Sequence, residues 1–294
     1  MRPTCSSLYH NFLKKSRCRA TVAPLGTSAS QHHVSLLQSP FLVTLPTTAH
    51  LSPTDTPCTL HAMQRKETIV LSVGGSLIVP NQIDISFLRR LKALILHEIT
   101  ANNRRFVLIT GGGKAARQYQ DAAAEISELN PEDLDWLGIH STRLNAHLLR
   151  TIFRDTAYPV IVTNPDDVKS VPPSSPLIIG AGYRPGASSD LRAVQIADRI
   201  GAHTVVNLSN IDYVYTADPK KDFDAEKIED ISWKEFRKLI PSEWDPGLSA
   251  PFDPVAAAYA EEVDIEVAVI NGKALDELEH YLNGEPFVGT RIHS

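Results

Sequence analysis

Two glycine turns in this chain of 294 residues have the make-up of anion cradles. Gly74-Gly75-Ser76 follows one apolar, β-branched run, and Gly111-Gly112-Gly113-Lys114-Ala115-Ala116-Arg117 follows another. Glycine lets backbone N–H groups approach an anion closely, and the N-terminus of a following helix favours negative charge. Ser76 adds a hydroxyl donor, and Lys114 and Arg117 place two cations in the first turn of that helix. Either turn alone is an ordinary tight turn. Two of them after two different strands suit two phosphate groups, one of a donor and one of an acceptor. Neither matches G-x-x-x-x-G-K-[ST] or a sound G-x-G-x-x-G, which excludes P-loop and ordinary dinucleotide-binding chemistry.

Two further stretches carry polar chemistry. Gly180-Ala181-Gly182 leads through Tyr183, Arg184, Pro185, Gly186, Ala187, Ser188 and Ser189 to Asp190, offering an aromatic face for a base and polar edges. Capping of a helix by Ser189 or Asp190 would explain the Ser-Ser-Asp, but not the aromatic, the arginine or the preceding glycines. Asn207-Leu208-Ser209-Asn210-Ile211-Asp212-Tyr213-Val214-Tyr215-Thr216-Ala217-Asp218-Pro219-Lys220 runs from a buried strand into an Asp-bearing loop. There Tyr215 could face an adenine and Asp212 could hold catalytic cations; Asp218-Pro219 is also a common turn pair.

Alternating elements must position these groups. Thr68–Val73, 106–110, 160–163, 177–179, 204–208 and 266–270 read as short strands. Helices are predicted over Ile85–Ala101, 114–129, 131–153, 190–200 and Pro254–Glu262. Alternation of this kind, with glycine turns after strands, predicts an α/β three-layer sandwich with a mostly parallel central sheet. Ligands of such folds sit beyond the carboxyl ends of the strands, the edge that carries the glycine turns.

Composition limits the function classes. A formal net charge of -5 leaves no electrostatic footprint for nucleic acid. No apolar run approaches the length of a membrane span. The averages hide a boundary near Met63: residues 1–62 carry five basic side chains and one acid, and all three cysteines lie among them. The net +4 of that segment leaves -9 for the remainder. A Ser-rich, acid-poor leader resembles an organellar transit peptide. The preferred reading is a start placed too early, because Met63 is the only other methionine and stands just before the first strand. Either way residues 1–62 are excluded from the fold, and 63–294 are expected to form it.

Taken together, Gly-Gly-Ser followed by Val-Pro, Gly-Gly-Gly-Lys-x-Ala-Arg, Tyr-Thr-Ala-Asp-Pro-Lys-Lys-Asp and the late Asp253-Pro254-Val255-Ala256-Ala257 resemble the amino-acid kinase family, and within it the archaeal type of UMP kinase. The similarity spans residues 68–294. It implies the amino-acid-kinase fold and transfer of the ATP γ-phosphoryl group to UMP, with Mg²⁺ carried by ATP as cofactor. By resemblance, Gly75, Ser76, Gly113, Arg117, Ser209, Tyr215 and Asp218 contact ATP. Gly112, Asp135 and the loop Tyr183, Arg184, Pro185, Gly186, Ala187, Ser188 and Ser189 contact UMP. Asp212 organises the catalytic groups, Arg117 assists it, and no protein metal ligand is implied.

One departure stands out. Many members carry a lysine two residues before the first motif glycine, where this chain has Ser72, so another cation among Arg117, Lys114 and Lys220 must neutralise the transferring group. Other kinases of the fold act on isopentenyl phosphate or acetylglutamate; the absence of His from residues 111–117 argues against the first, and the loop 183–189 with Asp135 against the second. A non-catalytic nucleotide-binding storage or regulatory protein would suit Ser72 and the insertion at 241–251 with Trp244. Retention of Asp212, Arg117 and Asp218 weighs against it. The resemblance also implies a homo-oligomer, a hexamer built from dimers. With Met63 as the start, the location would be cytoplasmic.

Overall fold

A computed structural model describes residues 67–242 and 250–294. The expectations for residues 1–62, and for Trp244, lie outside the described residues. In chain order the strands are β1 (Thr68–Val73), β2 (Arg105–Thr110), β3 (Leu177–Gly180), β4 (Thr204–Ser209), β5 (Val214–Tyr215), β6 (Lys227–Ile228), β7 (Asp230–Ser232), β8 (Glu266–Asn271) and β9 (Gly289–His293). The helices are α1 (Gly75–Ile78), α2 (Ile85–Ala101), α3 (Gly113–Ala124), α4 (Pro131–Ile152), α5 (Ser189–Ile200), α6 (Trp233–Leu239), α7 (Pro254–Glu262) and α8 (Leu275–Leu282), with a 3-10 turn at Pro165–Ser170.

Seven strands share one sheet in the order β3-β2-β1-β4-β8-β9-β7. The first five of that order are parallel, and β9 lies antiparallel to β8 with β7 parallel to β9. β5 and β6 form a separate two-stranded hairpin. The central strands are apolar on both faces because both faces are covered. Ile69, Leu71 and Val73 of β1 enter the core shared with α2, α4 and α8. Val70, one residue out of phase, enters the core shared with α5, α6 and α7. That period of two also sends the side chain of Ser72 toward α5.

Helix starts follow their caps. Asp84 accepts the Phe87 N–H ahead of α2, and Asn130 accepts the Asp133 N–H ahead of α4, where Pro131 takes the first position. Gly201 closes α5 in the left-handed conformation. At the start of α5 the sequence expectation needs correcting: Ser188, not Ser189 or Asp190, caps the helix by accepting the Leu191 N–H at 3.1 Å. Asp190 is thereby left free for another partner.

Residues 160–163 are not a strand. Only single bridges, Ala157 to Leu177 and Val162 to Gly180, run beside β3. Pro159 and Pro165 bracket the segment, each lacking an N–H, and Val160 points outward. α3 also ends earlier than predicted, since Ile126 beyond it is exposed and finds no core to enter. Among the described residues no helix is long and apolar enough to cross a membrane.

Candidate active site

The two glycine turns meet back to back at the carboxyl edge of β1 and β2. The Gly74 N–H donates to the Leu208 carbonyl and the Gly111 N–H to the Val73 carbonyl, pinning both turns to the sheet. A Cβ on Gly75 would stand 2.3 Å from the Gly113 nitrogen and 2.5 Å from the Gly111 carbonyl oxygen. Gly113 itself has φ +64, which glycine adopts without strain. Buried Asn145 of α4 fixes the second turn by donating to the Gly111 carbonyl at 2.8 Å. Among the described residues no side chain caps α3, so the N–H groups of its first turn remain available to an anion.

A cleft of about 270 Å³ opens beside this junction, lined in part by Gly112, Gly113, Arg117, Asp135, Ser188 and Asp190. Arg117 is exposed and, among the described residues, makes no ion pair or hydrogen bond, so its guanidinium is free for a ligand. Lys114 instead donates to Asn81. The loop after β3 forms the opposite wall. Arg143 ties it down by donating to the Gly182 and Tyr183 carbonyls at 3.1 and 2.8 Å. Asp135 accepts the Gly186 N–H at 2.7 Å, linking α4 to the tip of the loop. Gly182 donates to the Thr142 hydroxyl, which in turn donates to the Ile139 carbonyl. The Tyr183 ring carries the guanidiniums of Arg184 and Arg192 within 5.6 Å of its centroid, a cation–π arrangement in which Arg192 is buried.

The inner end of the cleft is acidic. Ser72 donates to Asp190 Oδ1 at 2.9 Å. Asp190 keeps some surface on the cleft, but protein surrounds its carboxyl, and that enclosure pushes its pKa up to about 6. The Ser72 hydrogen bond and the Asp253 N–H oppose the rise, and the charge of Asp253 adds to it. Asp253 is 7% exposed and caps α7, its Oδ1 accepting the Ala256 N–H at 2.6 Å. Burial raises its pKa as well. Ser188 lies near this carboxylate but makes no hydrogen bond of good geometry to it, and among the described residues Asp253 Oδ2 is buried without a partner.

The remaining predicted residues gather around the end of β4. Ser76 is half-buried on α1, facing the Gly113 side of the junction. Ser209 closes β4 and accepts the Ile211 N–H. Asp212 is exposed and held by Asn271 of β8 at 2.6 Å; it does not line the cleft. Tyr215 sits on β5, and Asp218 turns the loop beyond it by accepting the Lys220 N–H, which leaves Lys220 exposed. Two sets therefore flank the glycine junction: the cleft with Arg117, Asp135 and the 183–189 loop on one side, and the β4 end with Asp212, Tyr215 and Asp218 on the other.

A sequence profile of the amino acid kinase family matches residues 67–271. The chain belongs to the amino acid kinase family. It is 33% identical over 220 residues to a uridylate kinase of Hyperthermus butylicus, a match covering 75% of this chain and 96% of that protein. A uridylate kinase of Methanospirillum hungatei is 35% identical over 226 residues, covering 76% of this chain and 94% of its own length. The crystal structure of uridylate kinase from Archaeoglobus fulgidus aligns with a TM-score of 0.65 at 30% identity, covering 76% of this chain and 99% of that one.

In this amino acid kinase, sequence reasoning missed the inner end of the cleft. Asp190 was legible only as a possible cap, and Asp253 only as part of a family-like Asp-Pro stretch. One signal was available: the parity of Ser72 in β1 turns a hydroxyl away from the apolar series at 69, 71 and 73, which requires a polar partner on the α5 side. Elsewhere, His97, Glu98 and Glu279 cluster at the opposite edge of the sheet, where Arg104 and Asn102 already engage Glu98.

Proposed function

We propose that this amino acid kinase is a nucleoside monophosphate kinase that transfers the γ-phosphoryl group of ATP to UMP, giving UDP for pyrimidine nucleotide synthesis. What points to phosphoryl transfer is the contact between the two glycine turns, which places two sets of backbone N–H groups side by side with the open N-terminus of α3 and with Arg117, unpaired among the described residues. The proposed acceptor side is Gly112, Asp135 and the loop from Tyr183 to Ser189. The proposed ATP side is Gly75, Ser76, Gly113, Arg117, Ser209, Tyr215 and Asp218. A phosphate oxygen of UMP attacks the γ-phosphorus in line, the bond from that phosphorus to the bridging oxygen breaks, and ADP leaves with the bond electrons. Positioning and charge neutralisation carry the rate. Mg²⁺ bound to the ATP phosphates would supply part of that neutralisation. Arg117 binds the oxygens of the group in transit, and Asp212 orients donors at the end of β4. Uridylate kinase is the name of the relatives in Hyperthermus, Methanospirillum and Archaeoglobus, which supports UMP as acceptor. The proposal includes residues 63–294 as the functional unit, a homo-hexamer as the assembly and the cytoplasm as the location.

The test is ADP release by the full chain with Mg-ATP and either UMP, CMP, isopentenyl phosphate or N-acetylglutamate. UMP should turn over best, and Arg117→Ala and Asp212→Asn should each lower kcat about 100-fold. Turnover with another acceptor in preference to UMP would refute the assignment. A second reading has one observation in its favour: Ser72 brings no charge to Asp190. Tight binding of ATP and UMP without turnover would establish that reading, a nucleotide-binding storage or regulatory protein.

A further inference from the structure

The inner end of the cleft presents an electrostatic problem that the residues around it do not solve. Asp190 and Asp253 line the same cleft, the charge of Asp253 disfavours ionisation of Asp190, and neither forms an ion pair with any described Lys or Arg. Asp190 has a neutral serine as its partner. The segment 243–249 contributes no basic residue by sequence. Among the described residues no hydrogen-bond donor reaches buried Asp253 Oδ2, on a residue that lines the cleft. An orphaned carboxylate oxygen is unfavourable unless something fills its coordination. Oxygen ligands line the same cleft, the two carboxylates and the hydroxyls of Ser188 and Ser189; the side-chain nitrogens there, of Arg117 and Gln120, are hydrogen-bond donors and not metal ligands. Hard oxygen ligands without nitrogen or sulfur suit Mg²⁺ or Mn²⁺, which take one or two carboxylates and complete their shells with water and phosphate.

We propose that Asp190 and Asp253 form a direct divalent-cation site at the inner end of the cleft, through which the protein itself, and not only the nucleotide, binds the metal. Ser72 then has a specific task. It holds one oxygen of Asp190 by a neutral donor and leaves the carboxylate charge for the ion, which a lysine at that position would cancel. The inference rests on the phosphotransferase reading only in that a phosphate-bearing ligand completes the ion's shell.

The experiment is a Mn²⁺ titration of the nucleotide-free full chain followed by EPR of the free ion. Wild type should take up one Mn²⁺ per chain at this site, displaceable by Mg²⁺; absence of protein-bound Mn²⁺ without nucleotide would overturn the proposal outright. Asp190→Asn and Asp253→Asn should each abolish that uptake, the second keeping an oxygen to cap α7. Variants that titrate like wild type would place the ion elsewhere and also overturn it. Metal-free ATP supplies an independent readout: removing one uncompensated charge should tighten its binding by about tenfold or more in either variant. Unchanged or weaker ATP affinity in both variants would show that the two carboxylates bring no uncompensated charge to the phosphate site, and would overturn the proposal. None of these measurements needs turnover, so an active UMP kinase that binds no Mn²⁺ by itself would refute the site and leave the kinase reading intact.

Discussion

Replacing Gly75 by alanine adds a single methyl group, at a point with no room for it. The new Cβ would meet the Gly113 nitrogen at 2.3 Å, the Gly111 oxygen at 2.5 Å and the Gly112 carbonyl carbon at 2.5 Å. Ordinary contacts between such atoms begin roughly 1 Å farther out, and here every partner is backbone rather than the flexible end of a side chain. One of the two turns must therefore move by about that distance. Overpacking of this kind costs about 1–3 kcal/mol, which in a domain of this size lowers Tm by roughly 2–4 °C per kcal/mol. The catalytic loss should be the larger effect, because a displacement of about 1 Å between reacting groups costs on the order of 100-fold in rate. Gly138→Ala is the matched control: its Cβ would find Gln120 Nε2 at 3.6 Å, an ordinary contact, in the middle of α4. Loss of a mid-helix glycine there should stabilise the fold by about 0.5–1 kcal/mol. Urea denaturation would be measured for both variants and UMP phosphorylation for Gly75→Ala against wild type, since Gly138 itself lines the cleft. A Gly75→Ala protein with wild-type stability and wild-type kcat would show that the turns are not in contact as described.

Three other outcomes are expected. Asp135→Ala removes the acceptor of the Gly186 N–H and should raise KM for UMP about tenfold with little change in KM for ATP; equal effects on both substrates in steady-state kinetics would contradict that placement. Arg104→Leu strands Glu98, which is fully buried and paired to it at the opposite edge of the sheet, and should cost roughly 3–5 kcal/mol in denaturation with both KM values unchanged. His293, donating to Asp230 at 3.0 Å, has its pKa raised chiefly by that bond. Its contribution is present in full below the unfolded-state pKa and disappears as pH rises through the folded-state value. Exposure limits it to about 0.2–1 kcal/mol, so stability curves of wild type and His293→Gln should differ at about pH 5.5 and converge by about pH 8.5.

The parallel half of the sheet was legible because its strands are unbroken β-branched runs that stop at glycine, and α2 and α7 because cap residues and apolar spacing agree there. The antiparallel edge was not. β7 and β9 are short and carry Arg291, His293 and Asp230 among their few residues, so no hydrophobic period marks them. Residues 160–163 misled for the converse reason: Val-Ile-Val has the composition of a strand, but the flanking prolines remove the hydrogen bonds that would make it one. At the site, glycine turns and exposed polar loops announce themselves by residue type. The Asp190–Asp253 pair does not, since the two residues lie far apart in the chain and meet only when α5 and α7 pack on the same face of the sheet.

The position of β9 bears on how the molecule is made. Among the described residues β7 joins the sheet only through β9, which is synthesised more than fifty residues later. Thr290 of β9 also receives the Val214 N–H. A nascent chain can thus assemble β1 to β4 as they emerge from the ribosome, whereas β7 must wait until Gly289–His293 has been made. During that interval the side chains of α6, including Trp233 and Phe236, adjoin a strand with no neighbour in the sheet. Interruption of translation shortly before Gly289 would release a product with its phosphate-binding half assembled and an unpaired sheet edge at β8, the species most prone to associate with others of its kind.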